Sequence, residues 1–207
     1  MEIFQIIKRN DVKSGKNEKI TIVGGGLSGP VMAMYLSEKG YRVDIYERRP
    51  DMRKTNISAG RSINLAVSKR GITALEEIGV FHKISSKLIP MYGRIIHDID
   101  GSTRFMPYGR PDQYINSVSR SELNILLMTE AEKTDRIRIL FQHSCSGMDL
   151  ESGTVFITNE VNGDQVTLQG TPVIAADGSG SAVRESMIES GHISGSFDPL
   201  GHSYKEL

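Results

Sequence analysis

Residues 20–47 read ITIVGGGLSGPVMAMYLSEKGYRVDIYE, and this stretch decides the fold. The β-branched run Ile20 to Val23 predicts a buried strand that ends in the triplet Gly24-Gly25-Gly26. From Leu27 to Lys39 the period becomes helical, with Leu27, Val31, Met34 and Tyr35 at three- and four-residue steps. Pro30 falls in the first turn, where its missing N–H costs nothing, and Gly40 closes the helix. Tyr41 to Tyr46 is a second strand, so the whole is a βαβ unit with a right-handed crossover and a parallel sheet. Within it Gly24, Gly26 and Gly29 make the spacing G-x-G-x-x-G. The first glycine serves a tight turn, the second an approach to pyrophosphate, the third close packing of helix on strand. The helix N-terminus adds free N–H groups and partial positive charge, and Glu47 closes the second strand where a carboxylate can accept from a ribose diol. That carboxylate would repel a 2′-phosphate and so favours FAD or NAD over NADP at this site; Arg48 and Arg49 beside it pull the other way, unless they are a solvated loop.

Outward from this unit the chain alternates short elements. A polar loop over 48–61 leads to a strand over 63–67 and a helix over 70–78 ending at Gly79. Strands over 94–99 and 104–108 flank Asp100-Gly101-Ser102 as a hairpin, and another strand covers 114–118. Ser119 with Glu122 forms a capping box for a helix reaching about Lys133. Strands follow over 137–141, 154–158 and 165–168, the last two around Asn162-Gly163 as a hairpin. A final strand over 171–175 precedes Asp177-Gly178 and a helix from about Ser181 to Ile188.

The 207 residues amount to about 1.4 domains at roughly 150 residues each, a length that fits neither one domain nor two. Lys and Arg total 25 and so do Asp and Glu, and this zero net charge argues against nucleic acid as a partner. No apolar run approaches the roughly 18 residues of a membrane helix, and the first nineteen residues lack the pattern of a secretory signal. The single Cys145 allows no internal disulfide, and the five histidines have no metal-ligand spacing, so a cytoplasmic protein without metal is expected. Asn56-Ile57-Ser58 matches a glycosylation sequon, read as chance in the absence of a signal.

A second corner, Pro172-Val-Ile-Ala-Ala-Asp177-Gly178 followed by Arg184, resembles the Asp-Gly signature of flavoprotein aromatic hydroxylases. The resemblance narrows at Gly60-Arg61-Ser62-Ile63-Asn64-Leu65-Ala66-Val67-Ser68, Arg70-Gly71, Ala74-Leu75, Ile89-Pro90-Met91, Arg94-Ile95-Ile96-His97, Pro107-Tyr108-Gly109, Tyr114-Ile115 and Ser117-Val118-Ser119-Arg120. These runs resemble the kynurenine 3-monooxygenase family over the chain from about Lys19 onward, as an N-terminal portion not expected to be active alone. The resemblance implies FAD-dependent hydroxylation of L-kynurenine at C3 with NADPH and O2. It implies that Arg94 and Tyr108 hold the substrate and that Glu47, Arg48, Arg49, Ala66 and Arg120 contact FAD. Ser28 is expected as a backbone contact in the glycine loop, Cys145 as one near the adenine, and Asp177 as the acid of the second corner. No side chain is assigned a catalytic role, because the cofactor carries the difficult step. A later Gly-Asp signature of the family has no counterpart, since Gly163-Asp164 sits in a predicted hairpin turn. A flavin hydroxylase of another aromatic acid and a non-catalytic FAD-binding module stay open.

The expected fold is α/β: a Rossmann-like FAD/NAD(P)-binding parallel sheet with a β-meander, plus part of an antiparallel substrate-domain sheet. The expected division is a polar extension over 1–18, FAD-binding segments over 19–87 and 119–190, substrate-domain strands over 88–118, and the start of a further substrate-domain segment over 191–207.

Overall fold

The computed structural model describes residues 18–54, 64–196, 198–199 and 201. The polar extension up to residue 17, the sequon, the Gly60–Ile63 part of the family-like run and the last residues of the chain lie outside them. In chain order the elements are β1 (Lys19–Val23), α1 (Ser28–Glu38), β2 (Arg42–Glu47), β3 (Asn64–Val67), α2 (Lys69–Glu77), α3 (Phe81–Ile84) and β4 (Ile89–Met91). Then come β5 (Gly93–His97), β6 (Thr103–Pro107), β7 (Ile115–Ser119), α4 (Arg120–Ala131), β8 (Ile137–Phe141) and β9 (His143–Asp149). The series ends with β10 (Thr154–Asn159), β11 (Gln165–Leu168), β12 (Val173–Ala175) and α5 (Ala182–Glu189). The described residues divide into two units, one of 18–54 and 131 onward, the other of 64–130.

In the first unit β12, β1, β2 and β8 form a wholly parallel sheet in that order. Alternation gives each face of it a separate covering. Ile20, Ile22, Val43 and Ile45 are buried on the face that takes α1, whose Ala33 and Met34 are buried as well. The opposite face presents Val23 and Tyr46 to Val155 and Ile157 of the meander β9-β10-β11 and to Val183 of α5, a single apolar cluster. On this second face Asp44, almost fully buried, links three of the four strands: Lys19 Nζ lies 2.5 Å from one oxygen, and Arg138 binds both oxygens at 2.8 and 2.7 Å. Ser181 caps α5 by accepting the Arg184 N–H at 3.0 Å.

In the second unit β3, β7 and β4 form an antiparallel sheet with β7 in the centre, and β5 and β6 form a separate hairpin. The serine side of the expected capping box is present at α4, the Ser119 hydroxyl accepting from the Glu122 N–H at 3.4 Å. Leu123, Leu127 and Met128 are buried along α4, as are Leu75, Ile78, Val80 and Ile84 around α2 and α3. The fold class read from the sequence is borne out: the chain has a parallel nucleotide-type sheet and, in addition, antiparallel sheets. The hairpin at Asn162-Gly163 is also present, with a wider loop than the two-residue turn its sequence suggests. Asn159 N–H bonds the Asp164 carbonyl at 2.8 Å, and Gly163, at φ 78°, returns its N–H to the Asn159 carbonyl.

Candidate functional site

The corner between β1 and α1 is built from contacts that only glycine permits. Gly24 sits at φ 103°, and a Cβ there would run into the Ala176 carbonyl and lie 2.8 Å from the Asp177 Cα. At Gly29 a Cβ would strike the Gly24 carbonyl and come within 3.6 Å of Ile22, so the helix start presses directly on the strand. Gly26 differs: nothing lies within 4 Å of its missing Cβ, leaving open space over the loop. The three glycines therefore divide into two that close the corner and one that opens it. The Ala176 N–H bonds the Val23 carbonyl at 2.7 Å, tying the Asp177-Gly178 corner to the end of β1. Asp177 and Gly24 are thereby brought together from opposite ends of the chain.

The start of α1 carries no side-chain cap and no acidic residue in its first turn, and Ser28, its first residue, is exposed. Its leading N–H groups are thus aimed, uncapped, beside the open space over Gly26. This is the arrangement an anionic phosphate bridge requires.

Glu47 ends β2 with only 4% of its surface exposed. Its carboxylate accepts from the Gly25 N–H at 2.7 Å, from the Arg49 N–H at 2.8 Å, and from Arg49 Nε and Nη2 at 2.7 and 3.2 Å. Burial alone would raise its pKa; the Arg49 side-chain and backbone hydrogen bonds, the guanidinium charge and the Gly25 N–H outweigh it and hold the carboxyl below its ordinary range. Gly25 is the residue that sequence reasoning passed over. It lies in the glycine triplet, but its N–H donation to Glu47 depends on how β1 and β2 pair. Arg48 and Arg49, read as cofactor contacts or solvated loop residues, are both exposed, and Arg49 is the ion-pair partner of Glu47.

Cys145 lies on β9, opposite Ile157, its thiol 3.4 Å from the Gly147 carbonyl. Burial raises its pKa, and the Asp177 charge adds to the effect, so it is a poor nucleophile. Gly24, Gly26, Ser28, Gly29, Glu47, Arg48, Arg49, Cys145 and Asp177 all belong to the first unit.

The other predicted residues belong to the second unit. Ala66 is an exposed residue of β3, opposite Ser117, and Arg120 is the exposed first residue of α4. Arg94 on β5 is opposite Met106, and the Tyr108 N–H continues that ladder to the Tyr92 carbonyl at 2.9 Å. Alternation therefore places Arg94, Met106 and Tyr108 on one face of the hairpin. Arg94 is exposed and Tyr108 is 44% exposed. On the other face the Phe105 ring lies where a Gly93 side chain would be. Among the described residues no cluster of His, Cys, Asp and Glu could hold a metal ion, and no helix is long and apolar enough to cross a membrane.

A parallel sheet whose first strand ends in this glycine corner, with a carboxylate closing the second, defines a dinucleotide-binding α/β protein. Comparison with known proteins narrows the class. The sequence profile described as "FAD binding domain" matches residues 17–197, and the chain belongs to that family. It is 40% identical over 197 residues to the kynurenine 3-monooxygenase of Myxococcus xanthus, covering 95% of this chain and 42% of that protein. To the kynurenine 3-monooxygenase of Legionella pneumophila it is 41% identical over 189 residues, covering 91% of this chain and 42% of that protein. The resemblance read from the middle segments is thus borne out, and the chain spans about two fifths of the length of the curated relatives it matches. In fold it is similar to the crystal structure of p-nitrophenol 4-monooxygenase from Pseudomonas putida, with TM-score 0.65 and 20% identity over 82% of this chain and 44% of that one.

Proposed function

We propose that this chain is the FAD-binding part of a monooxygenase that hydroxylates L-kynurenine at C3, consuming NADPH and O2 and releasing NADP+ and water. The observation that carries this reading is the similarity to kynurenine 3-monooxygenases along nearly the whole chain. The glycine corner fits the cofactor in its own right. The space over Gly26 and the uncapped start of α1 would take the pyrophosphate, Glu47 the adenosine ribose, and the backbone around Cys145 and Asp177 the surroundings of the same nucleotide. Bound there, FAD would supply the redox and oxygen chemistry. Ala66 and Arg120 are proposed as further FAD contacts, and the hairpin face carrying Arg94 and Tyr108 as the substrate surface. A guanidinium on that face can grip the kynurenine carboxylate through two parallel hydrogen bonds, while the tyrosine ring packs on the arene. Residues 88–118 are then the substrate-domain portion, and 19–87 and 119–190 the FAD-binding portion.

The test uses the full-length protein. Kynurenine-stimulated NADPH oxidation and 3-hydroxykynurenine, identified by mass, are expected from a preparation with a flavin spectrum. A protein that binds flavin but does neither is a different hydroxylase or a non-catalytic module. Arg94→Met is expected to raise the kynurenine dissociation constant on the order of 100-fold while leaving bound flavin unchanged. An unchanged constant removes Arg94 from the substrate site.

A further inference from the structure

We infer that Arg49 is an internal stand-in for the cofactor's ribose, a side chain that must leave Glu47 before the nucleotide can be held. The inference rests on the FAD reading and concerns how the cofactor enters.

A carboxylate has about four lone-pair directions, and those of Glu47 are all taken within the chain. Two of the donors are main-chain groups fixed by the fold: the Gly25 N–H on Oε2 and the Arg49 N–H on Oε1. The other two come from one guanidinium, Nε–H to Oε1 and Nη2–H to Oε2. A ribose diol also brings two donors, its 2′- and 3′-hydroxyls, and needs one acceptor site on each oxygen. Guanidinium and diol therefore compete for the same pair of sites, one for one.

The main chain around Arg49 is pinned on both sides. Its N–H is on Glu47, and its carbonyl accepts from the Gln142 N–H at 3.2 Å. Gln142 itself sits at φ 59°, an unusual conformation for a residue with a side chain, and its carbonyl accepts from Glu160 N–H at 2.8 Å. Only the guanidinium is free to leave, by side-chain rotation from a position where it is 46% exposed. The buried carboxylate thus keeps a full set of donors in both states. It never stands uncompensated, and the nucleotide does not have to pay for reorganising the loop. The cost falls instead on affinity, because binding must first break a charge-assisted pair.

The test uses full-length protein stripped of flavin, titrated calorimetrically with ADP and with 2′,3′-dideoxy-ADP. Wild type should bind ADP more tightly than the dideoxy analogue. Arg49→Met should bind ADP about tenfold more tightly than wild type, with the dideoxy analogue little changed. Thermal unfolding gives the complementary readout: Arg49→Met should lower Tm in the flavin-free protein, and saturating FAD should abolish most of that difference. Arg49→Lys, which keeps the charge but not the fork, should fall between the two and serves if the methionine variant does not fold. Unchanged or weaker ADP binding in the variants, or an equal Tm loss with and without FAD, overturns the inference. A wild-type protein that binds neither FAD nor ADP overturns the FAD reading instead.

Discussion

Gly26 and Gly29 lie three residues apart in one motif and meet opposite surroundings, so the same substitution should act differently at each. Gly29→Ala drives a methyl group into the Gly24 carbonyl, which is backbone and cannot yield cheaply. It should destabilise the protein by about 1–3 kcal/mol, visible as a lower Tm even without cofactor. Gly26→Ala meets open space and should leave the flavin-free Tm unchanged, while FAD binding weakens because the methyl group occupies the pyrophosphate's approach. Equal effects at both positions would refute this division of labour. The tight turn at Gly24 and the close packing at Gly29 were legible from spacing alone, since both follow from the turn they share. The partners of Glu47 were not. That it would end β2 was readable, but the Gly25 N–H and the Arg49 fork meet it only through the pairing of β1 with β2 and the local bend after Glu47.

Between elements, the crossing of Asp44 by Lys19 and Arg138 ties β1, β2 and β8 together. Burial raises the Asp44 pKa, but the hydrogen bonds and charges of Arg138 and Lys19 outweigh it, and the carboxyl lies below its ordinary range. Glu47 and Asp51 are shifted the same way. Because these folded-state values lie below the unfolded ones, the stabilisation is present above about pH 4 and is lost as pH falls through the folded-state values. Asp44→Asn should therefore lower stability at pH 7 by on the order of 1 kcal/mol, a modest figure because both cations are partly solvated, Arg138 the more so. The variant's urea midpoint should also fall less steeply with acid than that of wild type; parallel curves would contradict the assignment. Most elements were legible because period and turn residues agreed, as in β8, whose predicted span is the observed one. Three were missed for physical reasons. Strand β4 contains Pro90, tolerated because β4 lies at a sheet edge. Strand β9 reads HSCSGMD, and its pairing with β10 shifts register between Phe156 and Ile157, so no period-two pattern survives. Helix α3 is four residues long, too short to establish a period.

At the scale of the molecule, the parallel sheet joins distant parts of the chain. β1 lies between β2, its near neighbour in sequence, and β12, with Thr21 opposite Val173 and Val23 opposite Ala175. Such long-range parallel pairing is slow to form, because a large loop must close before any contact rewards it. The order in which the ribosome delivers the strands then matters. β1, α1 and β2 emerge first and can associate, β8 can add to the far side of β2, and the other edge of β1 stays open until β12 has been made. Until β12 has been made, the nascent chain carries an apolar strand with an unpaired edge, the kind of surface that recruits chaperones or other copies. Protease protection of β1 and β2 in stalled nascent chains should accordingly appear only once residue 175 has cleared the exit tunnel. Early protection would mean that the first strands are shielded before their last neighbour arrives.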